Sequence, residues 1–497
     1  MAEVVVVGAG VGGLSAAIRV AAAGHDVTVV ERLAHVGGKL DERSADGFTW
    51  ETGPSLLTLP AVFRDLAAVA GRDLDELVDL IRLDPICRYR FVDGTGFDHR
   101  ADLDAAAAEA EALAPGAGRQ WREYLDGAET VWDTSERTFF AGPMASPIAL
   151  LRRMRSPRDL VDIDPLRTLH SRAEATFDDA RLVRWADRYA TYSGSSPFRA
   201  PATLRCIPHL EQDLGAWYVR GGLGRLALAL GDLATDVGVD IRTGCDVEEI
   251  THAGDRATGV RLVDGERIHG DAVIANADAL HLYRDLLPHP RARRRAERTE
   301  RSSSGFVLLL GVEGRTDDLA HHNVSFSGDY RAEFTSLFDT HTPIADPTIY
   351  VAASSVTDPS QAPAGHENWF VLVNAPSFST QEASGADAHD VENGWDGYGD
   401  HVLGVMAERG WDLSGRIVHR SEITPVDIAE RFRTPGGSIY GTSSNGAMAA
   451  FLRPGNRGPI DGLYVCGGSS HPGGGLPLVA ISGKIAADLC LADLPER

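Results

Sequence analysis

The first forty residues constrain the fold more than any other stretch. Glu3-Val4-Val5-Val6-Val7 is a short β-branched run with the length and apolarity of a buried parallel strand. Gly8-Ala9-Gly10-Val11-Gly12-Gly13 follows at once and puts Gly8, Gly10 and Gly13 in the dinucleotide spacing, with Gly12 among them. Leu14 to Ala23 reads as an alanine-rich helix stopped by Gly24, and Val27-Thr28-Val29-Val30 as a second strand ending on Glu31. Each glycine has its own job: Gly8 permits the tight turn, Gly10 lets backbone approach a pyrophosphate, and Gly13 lets helix and strand pack closely. The helix N-terminus offers unpaired N–H groups and partial positive charge to phosphates. Glu31 stands where a carboxylate accepts hydrogen bonds from an adenosine ribose. A Gly-x-Gly-x-x-Gly alone is weak evidence, but strand, helix and acid in this order specify a binding loop. Glu3 in place of a basic n-region argues against a signal peptide.

The residues after Glu31 choose between dinucleotides. Glu31-Arg32, a short spacer and Gly37-Gly38-Lys39 are followed by Glu51-Thr52-Gly53-Pro54. This constellation resembles the FAD-binding amine oxidase and phytoene desaturase superfamily. The resemblance puts Lys39 near the FAD phosphates and Gly53-Pro54 near the flavin. Lys39 stands where Arg is common and Glu51 where Asp is common; both keep the charge, although Lys39 lacks the bidentate fork.

At 497 residues the chain exceeds one compact core, so two or three domains are expected. Hydrophobic content of 43% and charged content of 24% are those of a soluble globular protein, and no apolar run is long enough for a transmembrane helix. A formal charge of −23 rules against a nucleic-acid binder. Lys39 and Lys484 are the only lysines among 48 basic side chains, an arginine skew that suggests a GC-rich genome. Cys87, Cys206, Cys245, Cys466 and Cys490 have no Cys-x-x-Cys spacing and read as reduced thiols in a cytoplasmic protein. No His, Cys and carboxylate cluster has metal spacing, and His321-His322 reads as surface.

Further along, Pro60 to Leu83 reads as helical with a break at Gly71, and Tyr89–Val92 with Phe97–Asp98 as a hairpin around Asp93-Gly94-Thr95-Gly96. Leu103–Leu113 and Arg119–Thr138 are expected helices. Phe139 to Leu160 interleaves Phe139, Phe140, Met144, Ile148, Leu150, Leu151 and Met154 with Arg152, Arg153, Arg155 and Arg158. Such a segment either lies on the anionic inner face of the cell membrane or snorkels its arginines over a domain core. Thr380 to Gly399 reads as an exposed polar loop and helix start, and Arg431 to Asn445 as a glycine-rich approach to the active site.

Tyr189 to Pro201 and Gly215 to Leu226 resemble bacterial phytoene desaturases in particular. The resemblance then makes Val247 a backbone neighbour of adenine. Strands are expected at 239–242, 246–250, 257–262 and 270–278, and again at 306–310, 346–351 and 368–374. Ile460 to Gly468 is a strand feeding Ser469-Ser470-His471-Pro472-Gly473-Gly474-Gly475-Leu476-Pro477, with a helix from Leu478 to Leu489. That helix points its positive end at the glycine loop. The resemblance places Gly467, Gly468, Ser469, Gly475, Leu476, Pro477 and Leu478 around the flavin, with Gly468 where related flavoproteins carry an acid.

The expected fold is α/β: a discontiguous Rossmann-type FAD-binding domain of the glutathione-reductase kind, with a sheet-rich substrate domain and a helical lid region. Residues 1–80, 215–285 and 455–497 form the FAD-binding parts, 81–130 and 286–454 the substrate domain, and 131–214 the lid and membrane-contact region. The resemblance, whose ending looks closest to the hydroxycarotenoid 3,4-desaturase branch, implies an FAD-dependent desaturase that places C=C bonds in a long apolar polyene by hydride transfer to flavin N5. The same chemistry on a non-carotenoid polyene or polyketide is an alternative, as is a non-catalytic FAD-stabilised carotenoid-binding protein. His471 either relays a proton or shapes the turn beside the flavin. One dinucleotide fingerprint and no second one argue against a nicotinamide, leaving oxygen or a quinone as electron acceptor.

Overall fold

A computed structural model describes residues 1–143, 151–378 and 394–494. Met144, Ile148 and Leu150 of the amphipathic segment, and the polar stretch from Thr380 to 393, lie outside the described residues. The central sheet has five parallel strands in the order Leu463–Val465, Ala272–Ala275, Glu3–Val7, Asp26–Val30, Asp240–Arg242. The first strand explains its own position at the centre. Val4 and Val6 pack against one face with the helices Val11–Ala22, Gly224–Asp236 and Leu476–Asp493. Val5 and Val7 pack against the other face, with Val260 and Leu262 of an antiparallel sheet built from Val247–Ala253, Arg256–Leu262 and Arg267–His269. An unbroken valine run suits a strand with both faces covered.

The second large sheet has seven strands in the order Ile417–Ile423, Ser304–Glu313, His366–Ala375, Ile349–Ala352, His322–Ser325, Cys87–Arg90, Gly96–His99. Its pairs are antiparallel except for His322–Ser325 with Cys87–Arg90. Phe306, Leu308 and Leu310 bury against Trp369, Trp411 and the Tyr398–Glu408 helix, while Val307 and Leu309 face Phe48 and Trp50 on the other side. Trp121 and Trp185, stacked 4.0 Å apart, join the Ala117–Ser135 and Ala180–Asp187 helices over the hairpin end of this sheet. No helix among the described residues is long and apolar enough to cross a membrane.

Several elements differ from their sequence expectation. The first helix starts at Val11 rather than Leu14, because Gly12 and Gly13 form its first turn. The helical reading to Leu83 ends early: helices span Pro60–Val69 and Leu74–Leu77, and Leu80–Arg82 is a strand paired antiparallel with Trp217–Val219. Long-range pairing of Ile81 with Tyr218 overrides the local periodicity there. His321 and His322 are buried, not surface, because the second of them opens a strand in the middle of the seven-stranded sheet. Glu42–Ala45 and Phe48–Glu51 form a hairpin with Asp46 at φ +53° and Gly47 at φ +83°, a two-residue turn whose Asp-Gly pair passed unread.

Candidate active site

The Val11–Ala22 helix begins at Gly10 with no side-chain cap and no acid in its first turn. Leu14 N–H makes the first intrahelical bond, to Gly10 O at 2.9 Å, so the amides of Val11, Gly12 and Gly13 precede it without an intrahelical acceptor. Gly8 adopts φ +94° and donates its N–H to Val30 O at 2.8 Å. A Cβ on Gly13 would stand 2.0 Å from Gly8 O, and one on Gly12 would stand 2.7 Å from Asn276 Oδ1. The loop is therefore closed to side chains on its inner side and offers bare backbone on its outer side.

The other chain end arrives at the same place. Leu463–Val465 delivers Gly467 at φ +103°, and Gly475 at φ +115° starts the Leu476–Asp493 helix with Pro477 in its first turn and no side-chain cap. That helix lies against the first one: Ser15 Oγ donates to Ala480 O at 2.8 Å, and a Cβ on Gly483 would stand 2.2 Å from Gly12 O. Both uncapped N-termini open on one cavity of about 520 Å³.

This cavity collects most of the residues singled out from sequence. Gly8, Gly10, Gly12, Glu31, Arg32, Gly38, Lys39, Gly53, Pro54, Val247, Gly467, Gly468, Ser469, Gly475, Leu476 and Pro477 all line it. Gly13, Leu478 and His471 are not among its lining. Glu31 is buried and accepts Ala9 N–H and Leu33 N–H, each at 2.7 Å, which fixes its carboxylate at the strand end. Lys39 donates to Ile439 O at 2.6 Å and Ser438 O at 3.2 Å; burial pushes its ammonium down to about 8 despite the nearby Asp278. Arg32 donates to Arg431 O. Glu51 does not simply replace an Asp charge. It accepts Leu223 N–H at 3.1 Å, yet burial pushes its carboxyl up to about 8, with Glu42 and Asp358 adding to the shift.

Asn276, Asp278 and Arg433 also line the cavity, and none was singled out as a site residue. Asn276 Nδ2 donates to Gly8 O at 3.3 Å, and its amide crowds Gly10, Gly12, Gly13 and Gly467. Asp278 pairs with Arg301 at 3.0 Å, and Arg433 with Asp246 at 2.7 Å. The polar turn at the end of the Ala272–Ala275 strand was the available signal for the first two. Arg433 had none beyond its place in a glycine-rich stretch.

His471 is buried, and its Nε2 lies 3.0 Å from Phe139 O and 3.2 Å from Gly142 O. Two carbonyls at one nitrogen require Nε2–H as the donor. Burial, reinforced by Arg453, pushes the imidazole down to about 4. Its neighbour Arg453 donates to Thr442 Oγ1 at 2.9 Å and to Pro472 O, and a Cβ on Gly473 would stand 2.0 Å from Arg453 Nη1. Leu56, Ile86, Val307, Val324, Phe370 and Leu372 add apolar walls to the same cavity.

The residues present fit the FAD implied by the sequence. Two uncapped helix ends suit phosphate and an electron-rich ring edge, the glycine cradle suits close backbone approach, and a fixed carboxylate suits a ribose.

Comparison with known proteins agrees with this geometry. Residues 11–388 match the family described as flavin containing amine oxidoreductase. The chain is 35% identical to a 4,4'-diapolycopene oxygenase of Methylomonas sp over 99% of its own length and 98% of that protein. It is 32% identical to a 1-hydroxycarotenoid 3,4-desaturase of Flavobacterium sp. (strain P99-3) over 98% of its own length and 99% of that protein. Among solved structures, an oxidoreductase from Methanosarcina mazei shares the fold at 18% identity and a TM-score of 0.65, covering 98% of this chain and 100% of that one.

Proposed function

The chain belongs to the flavin-containing amine oxidoreductase family as an FAD-dependent oxidoreductase related to bacterial carotenoid desaturases and oxygenases, and on that premise we propose that it dehydrogenates a long apolar polyene. The observation that carries this reading is one cavity lined both by two bare helix ends and by apolar side chains. FAD, when bound, supplies the two-electron acceptor for a hydride. The chain's own residues hold and orient. The amides of Val11 and Gly12 would receive the diphosphate, with Gly13 packing behind them, Glu31 would hold a ribose, and the Leu476 helix end would face the electron-rich edge of the ring system. Ile86, Val324, Phe370 and Leu372 hold the polyene and exclude water.

Loss of hydride from an allylic C–H leaves a positive charge spread along the conjugated chain, so the following proton loss needs no strong base. This suits a site whose nearest sequence candidate, His471, keeps its Nε2–H on two backbone carbonyls. We assign His471 the role of positioning the Ser469–Gly475 loop. The electrons leave to oxygen or a quinone.

A polyene dissolved in a bilayer gains little of the ~25 cal/mol/Å² available for leaving water when it moves into an apolar cavity. Delivery therefore favours contact with lipid. Leu160, Val161 and Leu166 are 44%, 75% and 88% exposed, beside exposed Arg152, Arg155 and Arg158. Arg153 leaves this set, because its guanidinium donates to Thr138 O, Gly142 O and Pro143 O.

The similarity to an oxygenase supports a second reading, oxygen insertion into the polyene. Product mass separates the two. Dehydrogenation removes two hydrogens per turnover, and a product that gains oxygen instead favours the second reading.

A further inference from the structure

One residue lining the cavity is not explained by a hydrocarbon substrate. Arg188 lines it, at 8% exposure, on the turn after the Ala180–Asp187 helix. Its guanidinium makes one hydrogen bond among the described residues, Nη1 to Tyr89 Oη at 2.8 Å, and no ion pair within 4.0 Å. The rings of Tyr192, Tyr89, Tyr350 and Tyr189 surround it with centroids 5.1, 5.5, 5.9 and 6.0 Å from Cζ. The nearby carboxylate is engaged elsewhere: Glu211 accepts Tyr192 Oη–H at 2.6 Å and Tyr189 Oη–H at 2.8 Å. The Nε and Nη2 donors have no partner among the described residues and are not fully buried, and the residue lines the cavity. Beside them, Tyr350 Oη is within hydrogen-bond distance of Ser55 Oγ at 2.6 Å and His322 Nδ1 at 2.8 Å, and all three residues line the same cavity.

Donors of a buried cation that only cavity water meets become costly when a ligand displaces that water without supplying an acceptor. We propose that Arg188 binds an oxygen on the end group of the substrate, so that the preferred polyene is an oxygenated one. This rests on the polyene reading above and narrows it. A hydrocarbon end placed against Nε and Nη2 would strip their water and return nothing, so the site also discriminates against the unmodified chain. The tyrosine faces hold the guanidinium in place without using up its N–H groups. The acceptor is a terminal hydroxyl, carbonyl or carboxylate oxygen, three sources of the same chemistry.

The test uses FAD-loaded full-length protein and three detergent-solubilised polyenes that share one chromophore: the hydrocarbon, its terminal alcohol and its terminal carboxylic acid. Affinity is read from quenching of protein fluorescence, and the rate from anaerobic bleaching of the flavin. The wild type should bind at least one oxygenated polyene about tenfold or more tightly than the hydrocarbon, the alcohol and acid arms identifying which oxygen. Arg188→Met should lose that preference with hydrocarbon affinity unchanged or improved, and Arg188→Lys should keep part of it. Equal wild-type affinity for all three overturns the inference without needing any variant. So does a preference that survives Arg188→Met. Failure of every polyene to bind contradicts the polyene reading itself.

Discussion

Gly13 illustrates how a single atom can decide cofactor retention. Its missing Cβ leaves room for Gly8 O, which would otherwise be 2.0 Å away, and neither backbone can yield without moving the first strand or first helix. Gly13→Ala should therefore displace the phosphate-facing amides and cost about 1–3 kcal/mol of stability. After desalting, the variant should carry well under half the FAD of the wild type; equal FAD content would contradict the cradle. His471 gives a pH signature. Its folded value of about 4 lies below the ordinary 6.5, so on acidification the unfolded chain takes up this proton first. The stabilisation is complete above pH 6.5 and is lost as pH falls towards 4, on the order of 3 kcal/mol in all. His471→Gln removes that titration, and its Tm should fall less steeply between these pH values than that of the wild type. Parallel curves would contradict the assignment. At this scale the glycines were legible because spacing encodes backbone geometry. Arg188 was not, since one arginine in a tyrosine-rich stretch carries no sign of burial, and its neighbours Tyr89 and Tyr350 come from distant strands.

Among the elements, the two helices whose N-termini meet at the cavity were both visible in the sequence, one from its glycine loop and one from Pro477. Strands with both faces covered were equally plain, because Glu3–Val7 and Ser304–Glu313 are runs of apolar residues. The Leu80–Arg82 strand was not, because its partner lies at Trp217–Val219 and three residues have no period of their own. The Arg158–Ile163 helix presents Leu160 and Val161 outwards, with Leu166 just beyond. Arg158 of this helix, with the exposed Arg152 and Arg155 before it, is worth roughly 1 kcal/mol per arginine near an anionic surface, against the repulsion of a chain of net charge −23. Co-sedimentation with anionic liposomes should fall at least severalfold in the Leu160→Ser, Val161→Ser, Leu166→Ser variant and again with added salt. Equal sedimentation of variant and wild type would return these side chains to ordinary surface.

At the scale of the molecule, the five-stranded sheet is assembled from the N-terminal segment, residues 240–275 and the C-terminal segment. The seven-stranded sheet lends Tyr350, Phe370 and Leu372 to the same cavity. The sequence pattern revealed both ends of this arrangement, whereas the order of the seven strands, with its one parallel pair, depends on long-range register that no local pattern specifies. On the proposed function, FAD is the acceptor and a polyene the donor within one cavity. Anaerobic mixing of the FAD-loaded protein with a long polyene tests this most directly. Bleaching of the bound flavin, with one C=C bond gained in the polyene for each flavin reduced, is the predicted result. A flavin that stays oxidised with every polyene but is reduced by NADPH or an amine would contradict it.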